Sequence, residues 1–211
     1  VLTIDYRVAP EHPYPAALED TIAAYHWLLE QGYPAEKIVV AGDSAGGGLA
    51  LALCLWLKNH KEPLPSGVIA MSPWTDLTIS GESVETNFEK DPLFGKTRDS
   101  MLYNKDYLGD NDPTNEYISP LFGDYEGFPP LLIQVGSYEM LLSDSTRVAK
   151  KAKEAGGKVK LSIYEGMFHV FQMAMLLMPE SKKAWAEIKR FLHYLDTEEN
   201  EMQNISKEEK A

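Results

Sequence analysis

The sequence predicts an α/β fold, in which a mostly parallel, doubly wound sheet carries helices on both faces. Short apolar or β-branched runs alternate with longer segments whose apolar residues recur at helical spacing. This alternation is typical of parallel strands joined by covering helices. In one run, VAGDSAGGGLALAL over residues 40–53, a glycine-flanked serine stands between a strand pattern and a helix pattern. In open α/β sheets, ligands bind at such strand-to-helix junctions.

The predicted elements follow one another with turn signals between them. Strands are predicted over residues 2–6, 37–41, 67–72, 131–135 and 159–164. Helices are predicted over residues 16–31, 45–59, 144–155 and around 185–195, with a further one near 98–108. Residues 73–130 are otherwise irregular, and such long segments in compact domains are usually functional or mobile. We expect one domain over residues 1–196 and a polar tail over 197–211.

Composition and charge restrict the class of protein. Of the 211 residues, 44% are apolar and 25% are charged, as in an ordinary globular domain, and the formal net charge is −12. This acidic balance argues against nucleic acid or an anionic membrane as a partner, because both attract basic surfaces. The single cysteine, Cys54, forms no internal disulfide, which fits a reducing, cytoplasmic location. No window is long enough for a membrane-spanning segment.

The serine turn has the spacing of a nucleophile elbow. Gly42, Ser44 and Gly46 form G-x-S-x-G directly after a strand pattern and before a helix pattern. Small residues at 42 and 46 allow the tight turn that raises Ser44 above the sheet edge. The N–H of Ala45, at the helix N-terminus, is then placed to bind an oxyanion. The alternative is a phosphate-binding glycine loop, but the Lys-Ser/Thr pair and the glycine spacing of such loops are missing.

A nucleophilic serine needs a general base, and His169 is the best candidate. It follows the strand predicted over residues 159–164 and its loop, which places it at the same sheet edge as Ser44. The other four histidines lie in a proline loop or on helices, where structural or solvent-facing roles are expected: His12, His26, His60 and His193.

The acid that orients the histidine should follow another strand at this edge. Two candidates compete in GSYEMLLSDS over residues 136–145, namely Glu139 and Asp144. Glu139 lies closer to the end of the strand and is favoured by position. Asp144 precedes a helix, where an N-cap is its ordinary role.

Several motifs together resemble the hormone-sensitive lipase group of α/β-hydrolases, in its bacterial carboxylesterase branch. They are DYRVAPEHPYPAALED from Asp5, GDSAGG from Gly42, SPWTDLT from Ser72, SPL from Ser119, GSYEMLLSDS from Gly136 and MFHVF from Met167. The resemblance implies an α/β-hydrolase fold and a carboxylic ester hydrolase with Ser44 as nucleophile, His169 as base and Glu139 as acid. It also implies that Asp144 supports a loop.

One departure from this family concerns the second part of the oxyanion hole. The family uses an H-G-G-G segment that precedes the DYR strand, and the present sequence begins after that point, inside a strand pattern and without Met. We therefore expect the family's N-terminal cap and first strands to be missing from this stretch of sequence. Each lost oxyanion donor lowers the rate by about a hundredfold or more.

The remaining expectations concern substrate, cofactors and partners. Four apolar residues near the sheet edge are candidates for an acyl pocket: Trp74, Leu141, Leu142 and Phe171. The mechanism needs no cofactor, and the sequence shows no metal-ligand cluster. The expected partner is a small-molecule ester, and the resemblance implies short to medium acyl chains and a homodimer. The alternatives are a non-catalytic small-molecule receptor or scaffold on the same fold, and an amidase or lactonase with the same triad.

Overall fold

The computed structural model describes residues 1–95 and 105–208 of the chain, and its centre is a parallel sheet. Four strands, β1 (Val39–Asp43), β2 (Gly67–Met71), β3 (Leu131–Gly136) and β4 (Val159–Tyr164), lie side by side in chain order. All three neighbouring pairs are parallel. The carboxyl ends of the four strands therefore share one edge, as the predicted alternation of strands and helices requires.

Helices cover both faces of this sheet. Alternate residues of β2 and β3 face α2 (Ala45–Asn59) and α5 (Leu142–Glu154) in one core cluster that includes Val68, Ile133 and Val148. The residues between them, such as Ile69 and Leu132, face α6 (Pro179–Glu208) on the other side. Residues that alternate along a strand point to opposite faces, and both faces here are apolar. The two central strands consequently read as nearly continuous apolar runs, interrupted in β3 by the buried Gln134.

The first helix extends the core beyond the sheet. Helix α1 (Ala16–Glu30) packs on α2 through a cluster that includes Leu18 and Leu49, while Tyr25 joins Leu57 in a second cluster. The strands and longer helices observed here agree with the predicted ones to within about two residues at most ends, as is usual for such boundaries. Two further helices are a single turn each, α3 (Ser83–Thr86) and α4 (Lys105–Leu108).

The strand predicted over residues 2–6 is not formed. This segment is irregular, and Leu2 and Ile4 are exposed. A groove of about 440 Å³ separates it from the outer edge of β1. A strand requires a neighbour with which to exchange backbone hydrogen bonds, and within the described residues this segment has none at β1. The prediction from β-branched composition was therefore wrong here.

Other differences lie in the irregular segment and at the C-terminus. The helix predicted near 98–108 is described only at Lys105–Leu108, since residues 96–104 lie outside the described part of the chain. The final helix continues to Glu208, past residue 197 where the tail was predicted to begin. No helix among the described residues is long and apolar enough to cross a bilayer.

Candidate active site

The shared carboxyl edge of the sheet brings together residues that are far apart in sequence. Ser44 follows β1, Glu139 lies three residues beyond β3, and His169 lies in the loop after β4. Because the three strands are parallel and in register, these loops meet above the same edge. The predicted candidates therefore lie next to one another.

The turn at Ser44 is strained in the way the G-x-S-x-G pattern predicts. Ser44 has φ 54° and ψ −123°, a backbone conformation that residues other than glycine rarely adopt. Its N–H donates to the carbonyl of Met71, and its carbonyl accepts from Gly48 and Trp74, so both neighbouring segments hold the turn in place. A Cβ at Gly42 would lie 2.2 Å from the carbonyl oxygen of Gly46, which explains why glycine stands there.

A continuous chain of hydrogen bonds joins the three candidate residues. The hydroxyl of Ser44 lies 2.8 Å from Nε2 of His169, and Nδ1 of His169 lies 2.9 Å from Oε2 of Glu139. Because a carboxylate can only accept, Nδ1 carries the proton and Nε2 is left to accept from the serine. Glu139 is fully buried and His169 is 6% exposed, whereas Ser44 is only half-buried. The serine is accordingly the member of the group that solvent can reach.

The second oxygen of Glu139 is also fully engaged. Oε1 accepts a hydrogen bond of 2.8 Å from the hydroxyl of Ser72 and one of 2.5 Å from the N–H of Gly136. The hydroxyl of Ser72 in turn accepts a hydrogen bond of 3.1 Å from the N–H of Val170, the residue after His169. Ser72 begins a motif after β2, but its contact with Glu139 was not predicted. Its position at the end of a central strand is the signal that could have found it.

A segment after β2 braces the loop that carries Glu139. The amide of Asn87 donates to the carbonyls of Ser137 (3.0 Å) and Glu139 (2.8 Å). The carboxylate of Asp91 accepts from the N–H of Met140 at 2.9 Å. Asn87 and Asp91 are both almost fully buried. They belong to the irregular region, where periodicity gives no signal, so sequence reasoning missed them.

The same segment covers the histidine. Asp91 also accepts from the N–H of Phe94, whose ring packs against that of His169 with centroids 4.3 Å apart. The braced segment therefore shields His169 from water on one side. Two of the other histidines have different partners: His26 pairs with Glu62, and His60 stacks on Trp56.

Asp144, the second candidate acid, lies away from the histidine. Its Oδ2 accepts from the backbone N–H groups of Thr75 (2.7 Å) and Asp76 (2.9 Å), and Arg147 lies 3.6 Å from its other oxygen. Asp144 lies inside the first turn of α5, whose N-cap is Leu141, so the N-cap role expected from its position was wrong. It instead fastens the loop after β2, as the resemblance implied. Burial raises the pKa of the Asp144 carboxyl to about 7, against the opposing hydrogen bond from Thr75.

This shift predicts a pH-dependent stability that Asp144→Asn should remove. Between about pH 4 and 7 the native Asp144 holds a proton that the unfolded chain releases, so the free energy of unfolding falls as pH rises through that window. Asparagine keeps an acceptor for both N–H groups but does not titrate. Between pH 5 and pH 8, the urea midpoint should fall further for the wild type than for Asp144→Asn. Equal changes in the two proteins would contradict the shifted pKa.

An apolar cavity of about 230 Å³ lies beside Ala45, the residue that follows Ser44, although Ser44 and His169 themselves are not among its lining residues. Ala45 and Gly48 of α2 form one wall, and Trp74, Leu77 and Tyr107 belong to its lining. Ala45 is the first residue of α2, so its N–H is one of those that a helix leaves without an internal partner. The N–H at the start of α2 therefore adjoins an apolar cavity. This arrangement suits a carbonyl group that carries an acyl chain.

The structure separates the four predicted pocket residues. Trp74 lines the cavity beside Ala45. Leu141 and Leu142 lie where the loop containing Glu139 joins α5, and neither lines the cavity. Leu141 is buried. Phe171 is fully buried and packs on the ring of Tyr164, 4.8 Å between centroids, so it is part of the interior. Proximity to the sheet edge in sequence does not fix which way a side chain points.

A family model described as the alpha/beta hydrolase fold matches residues 1–173. The chain therefore belongs to the α/β-hydrolase family, and the class of fold predicted from the sequence is confirmed.

Similar proteins narrow the family further. The chain is 45% identical over 197 residues to a protein named "Esterase" from Acinetobacter venetianus, covering 93% of this chain and 65% of that protein. It is 42% identical to an "Acetyl-hydrolase" from Streptomyces hygroscopicus, covering 87% and 61%. A crystal structure of an esterase from the bacterial hormone-sensitive lipase family superposes with a TM-score of 0.86 at 44% identity, covering 90% and 64%. The resemblance to the hormone-sensitive lipase group is thereby confirmed, and the chain spans a little under two thirds of these relatives' lengths.

Proposed function

We propose that the protein hydrolyses carboxylic esters through an acyl-enzyme, with Ser44 as nucleophile, His169 as general base and Glu139 as the orienting acid. The observation that carries the proposal is the unbroken hydrogen-bond chain from the Ser44 hydroxyl through the imidazole to the carboxylate. The names of the similar proteins, an esterase and an acetyl-hydrolase, support the same reaction.

In the first half of the reaction, Ser44 Oγ attacks the ester carbonyl as Nε2 of His169 takes its proton. The imidazolium that forms is stabilised by Glu139, which stays ionised and holds the ring in the required tautomer. The carbonyl oxygen becomes an oxyanion beside the N–H of Ala45, at the positive end of α2. His169 then gives its proton to the leaving alcohol.

In the second half, a water molecule replaces the alcohol. His169 takes a proton from that water, which attacks the acyl carbonyl and forms a second oxyanion at the same place. Collapse of this intermediate releases the acid and returns the proton to Ser44. The base must therefore reach both the serine and solvent, and its position beside the half-buried Ser44 meets that need.

The cavity beside Ala45 supports a small, apolar acyl group. Its lining is dominated by aromatic and aliphatic side chains, with a volume of about 230 Å³. We infer short to medium acyl chains, in keeping with the acetyl-hydrolase among the similar proteins. A cytoplasmic location and a homodimer stay predictions from the sequence.

A non-catalytic receptor or scaffold is the second candidate. Such a protein needs the pocket but not an activated serine, so nothing in its function would maintain the contact between His169 and Ser44. The hydrogen-bonded triad, the strained serine and the shielded base all favour the enzyme.

The test is active-site labelling of the complete protein with a fluorophosphonate, read by intact mass. We expect one adduct on the native protein and none on Ser44→Ala or on urea-unfolded wild type. Hydrolysis of p-nitrophenyl butyrate by Ser44→Ala should fall by about ten-thousandfold or more. If the folded native protein forms no adduct, the proposal of an ester hydrolase is overturned and a non-catalytic receptor is favoured.

A further inference from the structure

We propose that Ser72 is a positioning residue that fixes Glu139 and the histidine loop in one geometry. The inference rests on the proposed triad and deepens it. Among the described residues, the Ser72 hydroxyl is hydrogen-bonded to neither Ser44 nor the imidazole of His169. It acts through the acid on one side and through the backbone of Val170 on the other.

The position of Ser72 gives its hydroxyl a fixed direction. The residue follows β2 directly, is fully buried, and donates its backbone N–H to the carbonyl of Gln134 on the neighbouring strand at 2.6 Å. Its φ is 48°, a strained value for a residue with a side chain. Strain of this kind persists only where the surroundings enforce it, and it is concentrated at functional sites.

The Ser72 hydroxyl uses both of its hydrogen-bonding functions at once. It donates to Oε1 of Glu139 and accepts from the N–H of Val170. A hydroxyl is suited to this task because it can donate and accept at the same time. The position of the acid and that of the loop carrying His169 are thus tied to one oxygen atom.

The need for this tie follows from the identity of the acid. Glutamate has one more rotatable bond than aspartate, so its carboxylate has more freedom to lose when it is held beside an imidazole. Ser72 and the N–H of Gly136 fasten Oε1, which leaves Oε2 directed at Nδ1 of His169. Val170 has φ 52°, and its anchored N–H holds the base loop in that strained conformation.

The chain offers a matched control. Ser145 is, like Ser72, fully buried, but its hydroxyl has no hydrogen-bond partner among the described residues. Ser72→Ala removes the hydroxyl with little change in volume, and Ser72→Gly also relieves the strain of the positive φ. Comparison of the two variants separates loss of the hydroxyl from any backbone effect.

The experiment measures kcat and KM for p-nitrophenyl butyrate, the rate of fluorophosphonate labelling and the urea midpoint, all on the complete protein. For both Ser72 variants we expect kcat and the labelling rate to fall by about ten- to a hundredfold, with KM changed by no more than about twofold. Ser145→Ala should keep wild-type kcat, KM and labelling rate. A purely structural role would lower the urea midpoint and leave kcat of the folded fraction unchanged.

The possible outcomes distinguish this inference from the proposed function. If Ser44→Ala and His169→Ala are inactive while folded Ser72→Ala and Ser72→Gly keep wild-type kcat, the positioning role is overturned and the triad stands. If Ser44→Ala keeps its activity, the proposed function fails and the inference fails with it. Equal losses in Ser72→Ala and Ser145→Ala would also overturn it, because any buried hydroxyl would then have the same effect.

Discussion

Replacement of Glu139 by glutamine is expected to lower kcat for ester hydrolysis by about a thousandfold to ten-thousandfold. Glutamine preserves the size of the side chain but not its charge. The imidazolium formed during attack would then lose its counter-charge, and the amide would no longer require the proton to sit on Nδ1 of His169. KM should change little, because Glu139 is fully buried and lies behind the histidine.

Asp144→Asn is the matched comparison for this experiment. The same chemical change occurs in a second buried carboxylate, whose hydrogen bonds go to Thr75 and Asp76 instead of the histidine. We expect its kcat to stay within about threefold of the wild type, since it fastens a loop and contacts no reacting group. The reverse order of effects, with Asp144→Asn the more damaging, would assign the acid to Asp144.

Position in the sequence favoured Glu139 over Asp144 as the partner of His169, but it could not show what Asp144 contacts. Distance from the strand end favoured Glu139, because parallel strands deliver the first residues of each following loop to the same edge. Position could not show that Asp144 faces the loop after β2, since that contact joins residues about 70 positions apart. The triad candidates were found because each directly follows a strand or its short loop.

Residues outside such motifs were beyond the reach of the sequence. Asn87, Asp91 and Phe94 lie in a stretch with little regular structure, and their roles depend on side-chain contacts to loops after β3 and β4. No periodicity encodes such contacts. Residues 2–6 show the opposite failure, because their β-branched pattern is a local preference and strand formation requires a partner. Local patterns thus located the elements, while tertiary contacts decided which of them paired.

Gly42→Ala is expected to disturb the tight turn that carries Ser44. A Cβ at this position would lie 2.2 Å from the carbonyl oxygen of Gly46 and 2.9 Å from the backbone nitrogen of Gly47. Both atoms belong to the first turn of α2, so the helix must move away from β1 or the turn must open. We expect the free energy of unfolding to fall by about 3 kcal/mol. We also expect kcat to fall by about a hundredfold or more, because Ser44 stands in the turn that moves.

Gly156→Ala is the control for Gly42→Ala, because it also replaces a glycine by alanine but causes no steric overlap. Gly156 has φ 81°, yet a Cβ at this position would meet no atom within 4 Å, and the residue follows α5 far from the triad. The strain of a left-handed alanine should cost about 1 kcal/mol and leave kcat unchanged. Urea unfolding and kcat measured on both variants separate the two effects. If Gly42→Ala instead matches Gly156→Ala in both its free energy of unfolding and its kcat, α2 can move without displacing Ser44. The tight turn would then not be what positions the serine.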